Sequence, residues 1–232
     1  MLRAPQDLPQ RLDEIRRRLA AAAAAAGRPA ESITLLPVSK GQAAATMRAG
    51  AGLGLTSFGE SYLQEALEKM DALADLALGW HFIGRLQANK TRPIAERFAW
   101  VHGVDRSAVA ARLAQARPYH APALNICLQV NLADETSKGG VLPAQLPQVA
   151  AEVAALPRLK LRGLMCIPPP ETDPVRQRRW FARLRELKEG LEREAPGLDT
   201  LSMGMSGDFE AAILEGATIV RIGTALFGPR SP

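Results

Sequence analysis

Apolar positions recur along this chain in two alternating rhythms. The first is helical: Leu8, Leu12, Ile15 and Leu19 return every three or four residues, and Gly27 is placed to cap the C-terminal end. From residue 33 onward, short apolar runs alternate with amphipathic segments. The runs predict strands over 34–40, 57–60, 80–84, 100–105, 123–131, 161–168, 200–206 and 218–223. Between them the spacing predicts helices near 42–50, 61–75, 87–97, 107–116, 143–155, 174–194 and 208–215. Start signals mark some of these, such as Asp105-Arg106-Ser107 and Ser206-Gly207-Asp208.

Strand and helix alternating in this way predict βα units around a parallel sheet. Eight such units with no break in rhythm favour an α/β fold of the closed (β/α)8 TIM type over an open doubly wound sheet. No Gly-x-Gly-x-x-Gly follows the first strand, which argues against a dinucleotide fold. Pro168-Pro169-Pro170 reads as a stiff loop, and no long Pro-, Gly- or Ser-rich linker divides the chain. The expected organisation is one domain over 1–232, with an extra N-terminal helix over 1–28 and the barrel over 33–228.

Composition narrows the class further. The 232 residues are 47% hydrophobic and 23% charged, ordinary for a globular protein with a full core. No apolar run approaches the ~20 residues that span a bilayer, and the N-terminus lacks the apolar centre of a signal peptide. The expectation is a cytoplasmic protein with no membrane association. Cys127 and Cys166 lie in apolar runs with no Cys/His cluster, so they read as small buried hydrophobes and no metal site is expected. The net charge of +5 comes from dispersed arginines. Clusters such as Arg16-Arg17-Arg18 read as solvated helix faces, and no nucleic-acid partner is expected.

In a parallel barrel, active groups belong in the loops after the strands. Thr34-Leu35-Leu36-Pro37-Val38-Ser39-Lys40 delivers a lysine at the end of an apolar strand, where apolar neighbours favour the neutral, nucleophilic amine. The alternative is a solvated residue opening a loop. Near the seventh strand, alternation puts Ser202, Gly204 and Ser206 on one side, with Met205 between them. Ser206 and Gly207 then open a helix, where free N–H groups favour an anion. The eighth strand carries Arg221 on the same side as Gly223, followed by Thr224. Loops after strands seven and eight frequently form phosphate sites in barrels. Arg221 can only donate, to an anion or an aromatic nitrogen. Ser61 and Tyr62 could line the mouth after strand two, and His81 shares a face with Ile83 on strand three. A lone strand histidine is more often structural than catalytic. Lys138, in a Gly-rich loop, is a second candidate lysine.

Val38-Ser39-Lys40, Phe58-Gly59-Glu60, His81-Phe82-Ile83-Gly84 with Leu86-Gln87 and Asn89-Lys90, Ser137-Lys138-Gly139, Gly163-Leu164-Met165, Ser202-Met203-Gly204-Met205-Ser206 with Asp208, and Arg221-Ile222-Gly223-Thr224 run in order along the chain. Together they resemble the pyridoxal phosphate homeostasis proteins. That resemblance implies a barrel similar to the N-terminal domain of alanine racemase. It implies pyridoxal 5′-phosphate (PLP) as cofactor, held as an internal aldimine on Lys40, in a protein of vitamin B6 and amino-acid homeostasis without efficient turnover; a monomer is expected. PLP-dependent apo-enzymes are the partners it suggests. Carried over by position, Ser206, Gly223 and Thr224 hold the phosphate, and Arg221 lies near the pyridine nitrogen. Ser61, His81, Ile83, Ser202, Gly204 and Met205 complete the expected site. The family commonly has asparagine where this chain has Ser61. Rival readings are a PLP-dependent racemase or decarboxylase, a Schiff-base aldolase without PLP, and a nucleic-acid-binding module.

Overall fold

The structure is a computed structural model that describes residues 7–133 and 139–228. Eight strands alternate with helices through them: β1 (Thr34–Pro37), β2 (Ser57–Glu60), β3 (Gly79–Phe82), β4 (Trp100–Val104), β5 (Leu124–Gln129), β6 (Leu159–Met165), β7 (Thr200–Ser202) and β8 (Ile219–Ile222). They pair in the order β1-β8-β7-β6-β5-β4-β3-β2, each pair parallel. The seam between β1 and β2 closes through a bridge from Val38 to Gly59, with the Ser39 N–H donating to the Gly59 carbonyl at 3.0 Å. The result is the (β/α)8 barrel that the alternation predicts. Its strands bury both faces, as Ile126, Cys127 and Leu128 on β5 show, which is why they read as continuous apolar runs.

Helices α2 (Ala44–Gly52), α3 (Leu63–Ala72), α4 (Thr91–Arg97), α5 (Ser107–Ala116), α6 (Leu146–Ala154), α7 (Pro174–Glu189) and α8 (Phe209–Leu214) follow successive strands, and a short α9 (Thr224–Phe227) follows β8. Ahead of the barrel, α1 (Leu8–Ala25) buries Leu8, Leu12, Ile15 and Leu19 in one stripe against α8 and α9. Each such side chain contributes about 1.5–3 kcal/mol by leaving water. Arg18 fixes the contact by lying 4.7 Å from the Phe209 ring and pairing with Glu210. Cys127 and Cys166 are buried and unpaired, and burial pushes both thiols up to about 12. They pack as small hydrophobes.

Several elements end earlier than the periodicity predicts. β1 stops at Pro37, and Ser39–Gln42 is a turn in which the Gln42 N–H donates to the Ser39 carbonyl at 2.9 Å. Lys40 therefore sits on a turn beyond the strand. β7 stops at Ser202, because Gly204 takes a φ of +91° and ends the alternation. α7 ends at Glu189, short of residue 194, and α8 has only six residues. The four-residue α9 has no counterpart in the sequence pattern.

Candidate functional site

The strand C-termini surround a cavity of about 320 Å³. Val38, Lys40 and Gln42 enter it from the β1 loop, Ser61 from the β2 loop and Ile83 from just beyond β3. Ile167, Met205, Ser206 and Gly207 come from the loops after β6 and β7, and Arg221, Gly223, Thr224 and Gly228 from β8 and α9. A larger depression of about 480 Å³ lies at the opposite end, lined by residues such as Leu19, Ile33 and Leu55. That end of a barrel serves stability, and the chemistry gathers at the other.

Arg221 forms the floor. It is buried, and its Nη1 donates to the Ser202 carbonyl at 2.6 Å and the Ser202 hydroxyl at 2.8 Å, while Nη2 donates to the Cys166 carbonyl at 2.9 Å. These acceptors are neutral, so a full positive charge stands beneath the cavity, although burial lowers the guanidinium pKa. Ser202 passes the interaction on. Its Oγ lies 2.7 Å from His102 Nδ1, and His102 Nε2 lies 3.0 Å from His81 Nδ1. Because β7 and β4 are not neighbours in the sheet, the Ser202–His102 bond crosses the barrel lumen. Arginine can only donate, so the serine proton is left to point at His102 and the His102 proton at His81. Burial favours the neutral form of both imidazoles: it pushes His81 down to about 4, and His102 well below its ordinary value with help from His81 and Arg221. His81 also stacks on Trp100, with centroids 5.4 Å apart.

The adjoining wall, from β8 and the loop after β7, supplies hydroxyls and backbone. Ser206 Oγ accepts from the Ala225 N–H at 3.2 Å, which leaves its own proton to give. Gly223 brings the chain close to β1: a Cβ there would stand 3.3 Å from the Val38 carbonyl oxygen. The Met205 N–H is already taken by the Asp208 carboxylate. With α8 and α9 this short, what this wall offers an anion is individual hydroxyl and N–H donors and not a helix dipole.

The expected site residues thus separate. Lys40, Ser61, Ile83, Met205, Ser206, Arg221, Gly223 and Thr224 meet in the cavity. His81, Ser202 and Gly204 do not line it. His81 lies within β3 against Trp100 and His102, while Ile83, just beyond the strand's end, reaches the cavity. Ser202 supports Arg221 from behind. Gly204 faces α8, where an added Cβ would meet Ala212 at 2.6 Å. Tyr62 is 59% exposed and outside the cavity wall. Lys138 and Ser137 lie outside the described residues.

Sequence reasoning missed a buried polar cluster under the Lys40 turn. Lys69 on α3 donates to the Ser39 carbonyl at 2.6 Å, Glu60 Oε1 at 2.7 Å and Glu65 Oε1 at 2.6 Å. Burial raises the Glu60 carboxyl pKa, and hydrogen bonds from Lys69 and Ser39 oppose the rise. A signal was available: Lys69 stands beside Ala66, Met70 and Leu73 on the apolar face of its helix. His102 and Gln42 were missed as well, one hidden in an apolar run and the other in a loop.

A family model described as the alanine racemase N-terminal domain matches residues 10–231. The chain is 56% identical over 221 residues to the pyridoxal phosphate homeostasis protein of Pseudomonas aeruginosa, with 95% of each chain covered. To the protein of that name from Escherichia coli K12 it is 47% identical over 227 residues, with 97% of each covered. The structure of PipY from Synechococcus elongatus PCC7942 with PLP bound superposes with a TM-score of 0.82 at 39% identity, over 92% of this chain and 100% of that one.

Proposed function

Because this chain belongs to the pyridoxal phosphate homeostasis protein family, built on the alanine racemase N-terminal domain, we propose that it holds PLP covalently on Lys40 and buffers or delivers it. The observation that carries this reading is the convergence of Lys40, Arg221, Ser206, Gly223 and Thr224 on one cavity. The donor set fits: an amine for an aldehyde, hydroxyls for a phosphate, and a buried guanidinium whose hydrogen bonds run to neutral oxygens. Among the described lining residues there is no carboxylate to repel an anion. When bound, the cofactor supplies an electrophilic aldehyde and an electron-withdrawing ring. Lys40 would hold the aldehyde carbon. Ser206 and Thr224 would donate to the phosphate, where Gly223 would let the backbone approach. Arg221 would serve the ring nitrogen, where its permanent charge would disfavour protonation.

Borohydride reduction of the PLP-loaded chain, followed by peptide mass mapping, tests the attachment. The expected label is on Lys40. Labelling of another lysine alone, or of none, would sink this reading.

We further propose that the protein turns over amino acids poorly and works as a monomer that passes PLP to apo-enzymes. Racemisation needs an acid–base group on each face of the substrate. Lys40 can serve one face. Among the described residues that line the cavity, no tyrosine, histidine, cysteine or carboxylate stands opposite it. Racemisation of any common amino acid is therefore expected to stay below ~1 s⁻¹ in the PLP-loaded chain. A faster rate would favour the racemase reading.

A further inference from the structure

The lysine that the cavity offers stands on a turn and not on a strand. A turn is a loose mount for a group that must meet one atom, unless its backbone is held by surrounding contacts. The residues on either side of Lys40 are held in this way. The Ser39 carbonyl receives the Gln42 N–H at 2.9 Å and the Lys69 ammonium at 2.6 Å. The Ser39 hydroxyl donates to Glu60 Oε1 at 2.7 Å, and the Gly41 N–H donates to Glu65 Oε1 at 2.6 Å. Lys69 uses all three of its protons in this cluster, one on the turn and one on each glutamate that grips it. Gly41 has a φ of +72°, as the third residue of a type II turn requires, so the chain leaves Lys40 in a fixed direction.

We propose that Lys69, Glu60 and Glu65 form a clamp that positions Lys40 for its attachment to PLP. A general tendency and one observation distinguish this from core packing. An apolar cluster of the same volume is often as stable as a buried ion pair, or more so. The cluster also leaves Glu60 Oε2 buried without a hydrogen-bond partner, a cost that stability alone does not call for. What the charges supply, and methylenes could not, is directional bonds to the backbone at Ser39 and Gly41. Lys69 reaches the turn from 30 residues away, which ties the loop after β1 to the helix after β2 across the barrel seam. None of the three residues lines the cavity. They are positioning residues that act through Lys40.

The inference rests on the PLP reading above, and its test separates the two. PLP would be titrated into full-length parent, Lys69→Met, Glu65→Ala and Glu65→Gln chains. Equilibrium affinity would be read from absorbance, the attachment site from borohydride labelling, and the melting temperature in parallel. Glu65 is partly exposed, so its variants are expected to fold even if Lys69→Met does not. Glu65→Ala should bind PLP about tenfold more weakly, with a smaller share of label on Lys40. Glu65→Gln keeps an acceptor for Gly41 and should recover most of the affinity. Lys69→Met, if folded, should lose at least as much as Glu65→Ala. Parent affinity and parent labelling in Glu65→Ala, with only a lower melting temperature, would overturn the clamp. A parent chain with no label on any lysine would remove the functional reading and the clamp together.

Discussion

Gly223→Val is expected to weaken PLP binding about a hundredfold while the barrel stays folded. Gly223 lines the cavity between β8 and α9 and packs against the loop that carries Lys40. A Cβ there would stand 3.3 Å from the Val38 carbonyl oxygen and 3.5 Å from the Val38 Cβ. The backbone must give by a few tenths of an ångström, and the two γ-methyls add bulk where the phosphate is proposed to sit. Overpacking of this kind costs about 1–3 kcal/mol of stability, which a barrel of this size can absorb. Binding suffers more, because the valine occupies ligand space and shifts the β1 loop. Fluorescence or absorbance titration with PLP, alongside circular dichroism, checks both halves. Parent-like affinity in a folded Gly223→Val chain would place the phosphate elsewhere.

Stability is expected to fall steeply as pH drops from about 6.5 towards 4. His81 is held at about 4 by burial, and His102 well below its ordinary value by burial, His81 and Arg221. In the unfolded chain both titrate near 6.5. Between those values the unfolded state binds more protons, so stability rises with pH and is lost as pH falls. His81 alone accounts for about 3 kcal/mol across that window, because one proton bound only by the unfolded chain costs about 1.4 kcal/mol for each step of one in pH. Carboxylates such as Glu60 and Asp208, raised by burial, work in the opposite direction. They are common to the parent and to His81→Gln, so comparison of the two isolates the histidine. Urea midpoints measured from pH 7 to pH 4.5 should fall less in His81→Gln than in the parent. Equal slopes would mean that His81 is not neutral in the folded chain.

Both expectations depend on depth within the barrel, and depth is what a strand pattern does not encode. Alternation assigns His81 and Ile83 to one face. It cannot say that the first sits in the lumen against Trp100 while the second reaches the cavity. Nor does it mark where a strand stops, because that depends on the neighbouring strand's hydrogen bonds. Gly204 illustrates the consequence. Read as strand, it points with Ser202 and Ser206; with β7 ended at Ser202, it turns towards α8.

The sequence by itself determined the architecture and the end of the barrel that carries chemistry. Eight apolar runs separated by amphipathic segments admit few topologies, since parallel strands need helical crossovers and those have one hand. It also marked Lys40, Arg221, Ser206, Gly223 and Thr224, since each lies at or near the carboxyl end of a run, where barrels gather their functional groups. Tertiary structure alone decided what holds them. Ser202 and His102 are 100 residues apart and meet only because the sheet closes. Lys69 reads as one more charge on a helix until the barrel seam brings it under the Lys40 turn. Such partners are chosen by the low dielectric of the interior, where each buried donor must find an acceptor within reach, whatever its distance along the chain.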